Sequence, residues 1–273
     1  MAAEPFESAV EAMVAGDAAA LTALLDAHPG LVRQRSAREH RATLLHYIAA
    51  NGVENERQKT PANAVEIAII VLRAGAEVDA TARMYGGEQT TMGLLVSSCH
   101  PANAGVQVAL VDTLVDFGAA ANEAALLTAL AHGYADAARA LVRRGARVDH
   151  LHAAAGLGRF DEAARMLPEA DPQTRHRALA LAAQHGHVEI VRLLLDHGED
   201  PSRYNPPGYH AHSTPLHQAA LAGQMAVVRL LVERGARLDL RDTVYHGTPL
   251  GWAEYGGRTE IAAFLRQSEA APS

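Results

Sequence analysis

Residues 213–235 read STPLHQAALAGQMAVVRLLVERG, two short apolar stripes with a glycine after each. Leu216, Ala219 and Ala220 recur at helical spacing and stop at Gly223, while Val227, Val228, Leu230 and Leu231 follow and stop at Gly235. Each predicted helix buries one stripe and is too short to keep it dry alone. The pair therefore demands neighbours built the same way, which is the condition for a stacked array of repeats.

The segment resembles the ankyrin repeat. TPLHQAALAG is close to the family's TPLHxAAxxG, and RLLVERGARLD to its xLLxxGAxxN. The resemblance implies an all-α ankyrin-repeat solenoid of stacked helix pairs with hairpin-like fingers, some truncated. About eight repeats cover nearly the whole chain, predicted here as a single domain over 1–273. An N-terminal cap without TPLH spans 6–36. Repeats with insertions between their helices span 43–82 (VENERQKTPAN) and 83–123 (HPANAG). Compact repeats span 124–149 and 150–172, a repeat with a long finger spans 175–212, and the opening unit spans 213–246. A C-terminal cap spans 247–267, with Glu254, Arg258 and Glu260 as its polar outer surface.

Spacing checks this division. Thr214 to Thr248 is 34 positions, near the family period of roughly 33. Gly133 to Gly158 is 25 and Gly158 to Gly186 is 28, both too short for a finger. Fingers are expected at RMYGGEQ, SRYNPPGYHAHS and RDTVYHG, with a gap between the first and second. Those lengths suggest a pocket between finger walls.

Aromatics make up 4 % of the chain and hydrophobic residues 49 %, so the core must be mostly Ala, Leu and Val. A net charge of -7 argues against a broad phosphate-binding surface. The single cysteine, Cys99, excludes an intramolecular disulfide framework and fits a reducing compartment. The N-terminus lacks a basic segment before an apolar run, and no stretch reaches the roughly 18 apolar residues of a membrane span. The expectation is a soluble, cytoplasmic, monomeric protein.

The resemblance implies that partners dock on the concave side, on finger tips and on the positions just before the glycine that ends each first helix. Carried over residue by residue, this gives Tyr85, Tyr204, His210, His212, Tyr245 and His246 from fingers, and His132, His185 and Tyr255 from helices. Tyrosine supplies flat apolar area plus a hydroxyl, which suits binding surfaces. The family uses His46, His152 and His217, at the fourth position of TPLH, as structural hydrogen-bonders. His28, His40, His176, His187 and His197 are expected on turns or exposed positions.

His210, His212 and His246 are the metal candidates. If 210–212 is extended, both rings point the same way, and His246 could add a third nitrogen. Glu254 with Tyr245 and His246 is a second candidate, as an acid–base trio. No nucleophile elbow, phosphate loop or HExxH is present. Cys99 stands where a helix-ending glycine is expected and should be partly buried. Gly93 and Gly251 replace the motif histidine, either easing helix packing or opening space. The expected function is a non-catalytic scaffold that binds another protein, with no cofactor, nucleic acid or membrane. The alternative is a small-molecule or metal-assisted pocket between the 204–212 and 242–247 fingers.

Overall fold

A computed structural model describes residues 4–270, which divide into two compact units with the boundary between Arg147 and Val148. Each unit is a stack of short helices. Among the described residues no helix is long and apolar enough to cross a membrane.

In the first unit the helices are α1 (Pro5–Ala15), α2 (Ala18–Ala27), α3 (Ala64–Arg73), α4 (Thr91–Leu95), α5 (Cys99–Asn103), α6 (Gln107–Asp116), α7 (Glu123–Ala131) and α8 (Ala135–Arg143). The two strands β1 (Thr81–Met84) and β2 (Gly87–Thr90) pair antiparallel with Thr81 opposite Thr90. Their turn, Tyr85-Gly86, holds both residues at positive φ, 54° and 77°. That geometry matches the natural strand twist, and the glycine meets it at no steric cost.

The second repeat departs from expectation in two ways. Its first helix is a single 3-10 stretch, Leu44–Ala49, which ends at Ala50 in the left-handed region. The insertion that follows is more than a surface loop. It turns through a 3-10 segment, Asn55–Arg57, and buries Arg57 against α1. There the guanidinium donates to Glu11 at 2.7 Å and approaches Glu7 at 2.7 Å and Glu54 at 3.6 Å. The HPANAG insertion likewise folds, as most of α5. Cys99 begins that helix and is exposed, not partly buried, because the preceding helix has already ended at Leu95.

The second unit contains α9 (Leu151–Gly156), α10 (Phe160–Met166), α11 (Pro172–His185), α12 (Val188–Asp196), α13 (Pro215–Ala222), α14 (Met225–Glu233), α15 (Pro249–Tyr255) and α16 (Thr259–Ala270). The first helices of each pair pack in the row α9, α11, α13, α15, and the second helices in the row α10, α12, α14, α16. Small residues let the first row approach closely: Ala154, Ala155, Ala182, Ala183, Ala219, Ala220 and Ala253 are all fully buried. Leu194, Leu216 and Leu231 fill the space between rows, each burial contributing about 2 kcal/mol.

Caps set the helix starts. Asp171 accepts from the backbone N–H of Gln173 and Thr174, with Pro172 at the first helical position. These bonds, led by that from the Thr174 hydroxyl, draw the Asp171 carboxyl down to about 2. His176, expected on the surface, is fully buried one turn further on, with Nε2 at 3.2 Å from the Arg203 carbonyl and Nδ1 at 3.5 Å from Glu199. Burial and the nearby Arg203 charge lower its pKa.

Candidate functional site

The densest polar construction in the second unit is the loop between α14 and α15. Asp242 is buried at its base. Its Oδ1 accepts from the N–H of Val244 at 3.0 Å and of Tyr245 at 2.6 Å. Its Oδ2 accepts from the N–H of Gly247 at 2.8 Å and from the Trp252 indole at 2.9 Å. Burial alone would raise the Asp242 pKa, but the Tyr245, Trp252, Val244 and Gly247 donors win and hold it well below the usual carboxylate range. Asp242 N–H closes the loop onto the Gly247 carbonyl at 2.9 Å. His246 takes φ 58° to make the turn. A side chain at Gly247 would crowd this packing, since a Cβ would lie 3.0 Å from the Trp252 ring and 3.2 Å from Asp242 Oδ2.

The motif histidine of the opening stretch, His217, anchors this loop to α13. Thr214 N–H and hydroxyl meet His217 Nδ1 at 3.2 and 2.8 Å, so Nε2 carries the proton and donates to the Gly247 carbonyl at 3.2 Å. Burial lowers the His217 pKa, keeping the ring neutral. His46 repeats the arrangement in the first unit, with Nδ1 on Thr43 and Nε2 on the Gln89 carbonyl at 3.3 Å. Burial, partly opposed by that bond, lowers its pKa to about 4. The Trp252 ring stands edge-on to His217, 5.2 Å between centres.

The finger 199–213 leans on the same loop. Tyr204 donates its hydroxyl to the Arg241 carbonyl at 2.6 Å, and Thr243 N–H donates to the His212 carbonyl at 2.9 Å. The two fingers are thus bonded to one another along this side, where an open pocket was expected. Residues 210–212 are a turn, not an extended segment, because His210 sits at φ 59° and Ser213 N–H bonds back to its carbonyl. The two rings consequently stand nearly perpendicular, 84° between planes, instead of pointing the same way. Among the described residues no three His, Cys, Asp or Glu side chains could hold a metal ion, so His210, His212 and His246 do not form such a group. Glu254, the carboxylate of the candidate acid–base trio, is exposed and pairs with Arg266.

The structure brings His212, Tyr245 and Trp252 together: the His212 ring lies 6.1 Å from Tyr245 and 5.7 Å from Trp252. Tyr245 is 77 % exposed and Val244 beside it 56 %. His246 is exposed at the same tip, and Tyr255 is exposed at the end of α15. Tyr204 is half-buried and spends its hydroxyl on the loop. His185 ends α11 with its ring stacked on His187, 6.3 Å between centres, and His187 in turn meets the Gly156 carbonyl at 3.0 Å. In the first unit, Tyr85 stands exposed at the hairpin tip with its hydroxyl on Asn51, and His132 caps α7 through the Thr128 carbonyl at 2.9 Å.

Sequence reasoning missed Tyr209 and Val244. Tyr209 is buried under the Arg177 guanidinium, 5.4 Å above its ring, with His152 edge-on at 5.9 Å. Val244 lay in the predicted finger, but attention to Tyr and His passed over it.

The family model described as ankyrin repeats (3 copies) matches residues 98–205 and 205–273. The chain belongs to the ankyrin-repeat family. Among its relatives, the ankyrin repeat and SAM domain-containing protein 6 of Mus musculus is 33 % identical over 106 residues, 39 % of this chain and 12 % of that protein. Cyclin-dependent kinase inhibitor 2A of Homo sapiens is 33 % identical over 123 residues, 43 % of this chain and 76 % of that protein. Several curated relatives are thus much longer, and the chain spans a quarter of their length or less. The human ASB11 ankyrin repeat domain superposes with a TM-score of 0.46 at 20 % identity, covering 97 % of this chain and 99 % of that one. Proteins of the ankyrin-repeat family commonly bind other proteins.

Proposed function

We propose that this ankyrin-repeat chain is a non-catalytic, protein-binding module whose main contact is the finger tip Val244-Tyr245-His246. The observation that carries the reading is the exposed Tyr245 on a loop held rigid by Asp242. An exposed aromatic on a fixed backbone loses little entropy when it is buried by a partner. Val244 adds apolar area, and His212 backs the Tyr245 ring. A folded protein surface is the partner class we favour. Two relatives spanned over most of their length, 76 % and 88 %, are named as cyclin-dependent kinase inhibitors, so an enzyme is a reasonable partner to try first. A monomeric, cytoplasmic setting belongs to the same proposal, and the single cysteine fits the reducing compartment it implies.

The test compares proteins captured from the native host by the wild-type chain, by Tyr245→Ala and by Arg192→Ala, a substitution on the outer helix row. A stoichiometric partner retained by Arg192→Ala and lost by Tyr245→Ala supports the reading. If Tyr245→Ala captures every wild-type partner equally well, the finger tip is not the contact.

A further inference from the structure

The first unit contains a cleft of about 740 Å³ between the 37–41 loop and the β1–β2 hairpin, lined by Arg38, Arg41, Arg83, Glu39, Glu88 and the backbone of Gly86-Gly87. A smaller recess of about 280 Å³ adjoins it, shares Arg41, Arg83 and Glu88, and adds Arg35. Four arginines therefore face two carboxylates on a chain whose net charge is -7.

The frame behind these side chains is fixed. Ser36 is fully buried, with its N–H on the Ala42 carbonyl at 2.7 Å and its hydroxyl accepting from the Arg38 N–H at 3.2 Å. Arg35 donates to the carbonyls of Arg41 at 3.1 Å and Thr81 at 2.6 Å. Arg83 N–H donates to the His40 carbonyl at 2.8 Å and joins the hairpin to the loop. Arg41 sits at φ 53°, a conformation disfavoured by the Cβ of a non-glycine residue and one that glycine or asparagine would adopt more cheaply. Its guanidinium makes no ion pair among the described residues, whereas Arg38 is engaged by Glu7 and Glu54 and Arg83 only loosely by Glu88 at 3.6 Å, both of the latter exposed.

We infer that this cleft binds an acidic peptide segment of a partner protein, with Arg41 and Arg83 taking its carboxylates. Arginine presents paired donors that match a carboxylate edge. Gly86 and Gly87 leave the rim bare, and a side chain added at Gly86 would meet nothing, so a peptide backbone can lie close. Glu39 and Glu88 leave only a modest positive excess. That suits one or two carboxylates on an extended chain and falls short of the cation density a phosphodiester strand requires. The inference rests on the protein-binding reading but uses a different unit from Tyr245, so each fails separately.

The experiment is a titration of the full chain against a short fluorescein-labelled peptide of alternating Glu and Ser, followed by anisotropy at low salt. Saturable binding is expected, weakened about threefold to fivefold by Arg41→Ala or Arg83→Ala and about tenfold by both. Tyr245→Ala should leave it unchanged, and added salt should weaken it. Arg83 is well exposed, so its truncation leaves the core intact. Arg41→Gly, which relaxes the left-handed backbone, serves should Arg41→Ala alter the circular dichroism. Absence of saturable binding, equal affinity of the double variant, or displacement of the peptide by lower concentrations of pyrophosphate or oligouridylate than of unlabelled peptide overturns the proposal.

Discussion

The Trp252 indole donates to Asp242 Oδ2 at 2.9 Å and so fastens the last finger to the helix that follows it. Trp252 is the chain's one tryptophan, which makes this bond observable. Asp242→Ala leaves the indole and three backbone N–H groups without their acceptor. A loss of about 2–4 kcal/mol is expected, measured by urea denaturation, together with a change in native tryptophan fluorescence. Because the native carboxyl titrates below its unfolded value, its contribution is present at neutral pH and fades as pH falls through and below the ordinary carboxylate range. An unchanged urea midpoint for Asp242→Ala would remove the clamp from the account of the finger.

His46 gives a second, separate pH dependence. Its pKa is lowered from 6.5 to about 4, so the unfolded chain takes up a proton that the native chain refuses. Stability should therefore decline as pH drops from about 6.5 towards about 4, by about 1.4 kcal/mol per pH unit within that window. Below it the penalty is complete, on the order of 3 kcal/mol. His217 acts in the same direction. Urea midpoints across the window should slope less steeply for His46→Gln than for wild type, and identical slopes would contradict the assignment.

Gly93 and Gly251 stand in helices with room for a methyl group. A Cβ at Gly251 finds only the Thr248 hydroxyl, at 3.8 Å, and one at Gly93 meets two side-chain oxygens at 3.6 Å. Gly93→Ala and Gly251→Ala should each raise stability by about 0.5–1 kcal/mol. Lower thermal midpoints would mean that the space beside these helices is needed.

Arg57 holds the 53–61 insertion to the first helix. Its side chain is 10 % exposed and pairs with Glu7, Glu11 and Glu54, the first and last of which it shares with Arg38. Arg57→Ala leaves Glu7 and Glu54 to Arg38 alone and Glu11 without its guanidinium, and should cost about 2–3 kcal/mol, discounted for the exposure of Glu11. Limited proteolysis should cut first within the insertion, and an unaltered cleavage pattern would show that the loop is held by other contacts.

The repeat register of the second unit could be read directly, because TPLH and the helix-ending glycines are local signals with local causes. His217 illustrates this: its partners Thr214 and Gly247 belong to the motif and to the next repeat. Asp242 was harder to place. A lone aspartate in RDTVYHG looks like a spare ligand, and only the folded loop turns Val244, Tyr245 and Gly247 towards it. The His210-x-His212 spacing misled because alternation has geometric meaning only in extended backbone, and the left-handed His210 breaks it. In the first unit, the insertion hid the pairing of Arg57 with glutamates 46 and 50 positions earlier in the chain (Glu11 and Glu7), which no periodicity encodes.

The Asp242 carboxylate grips backbone N–H groups and the Trp252 indole, so that among the described residues its hydrogen bonds go to no side chain at the tip. The shape of the loop is thereby decoupled from the identity of residues 244 and 245. His246 is the exception, since its φ of 58° favours asparagine or glycine among replacements. The finger is thus a ready platform for randomised display: a library at positions 244 and 245 would vary the binding chemistry while the platform beneath it stayed the same.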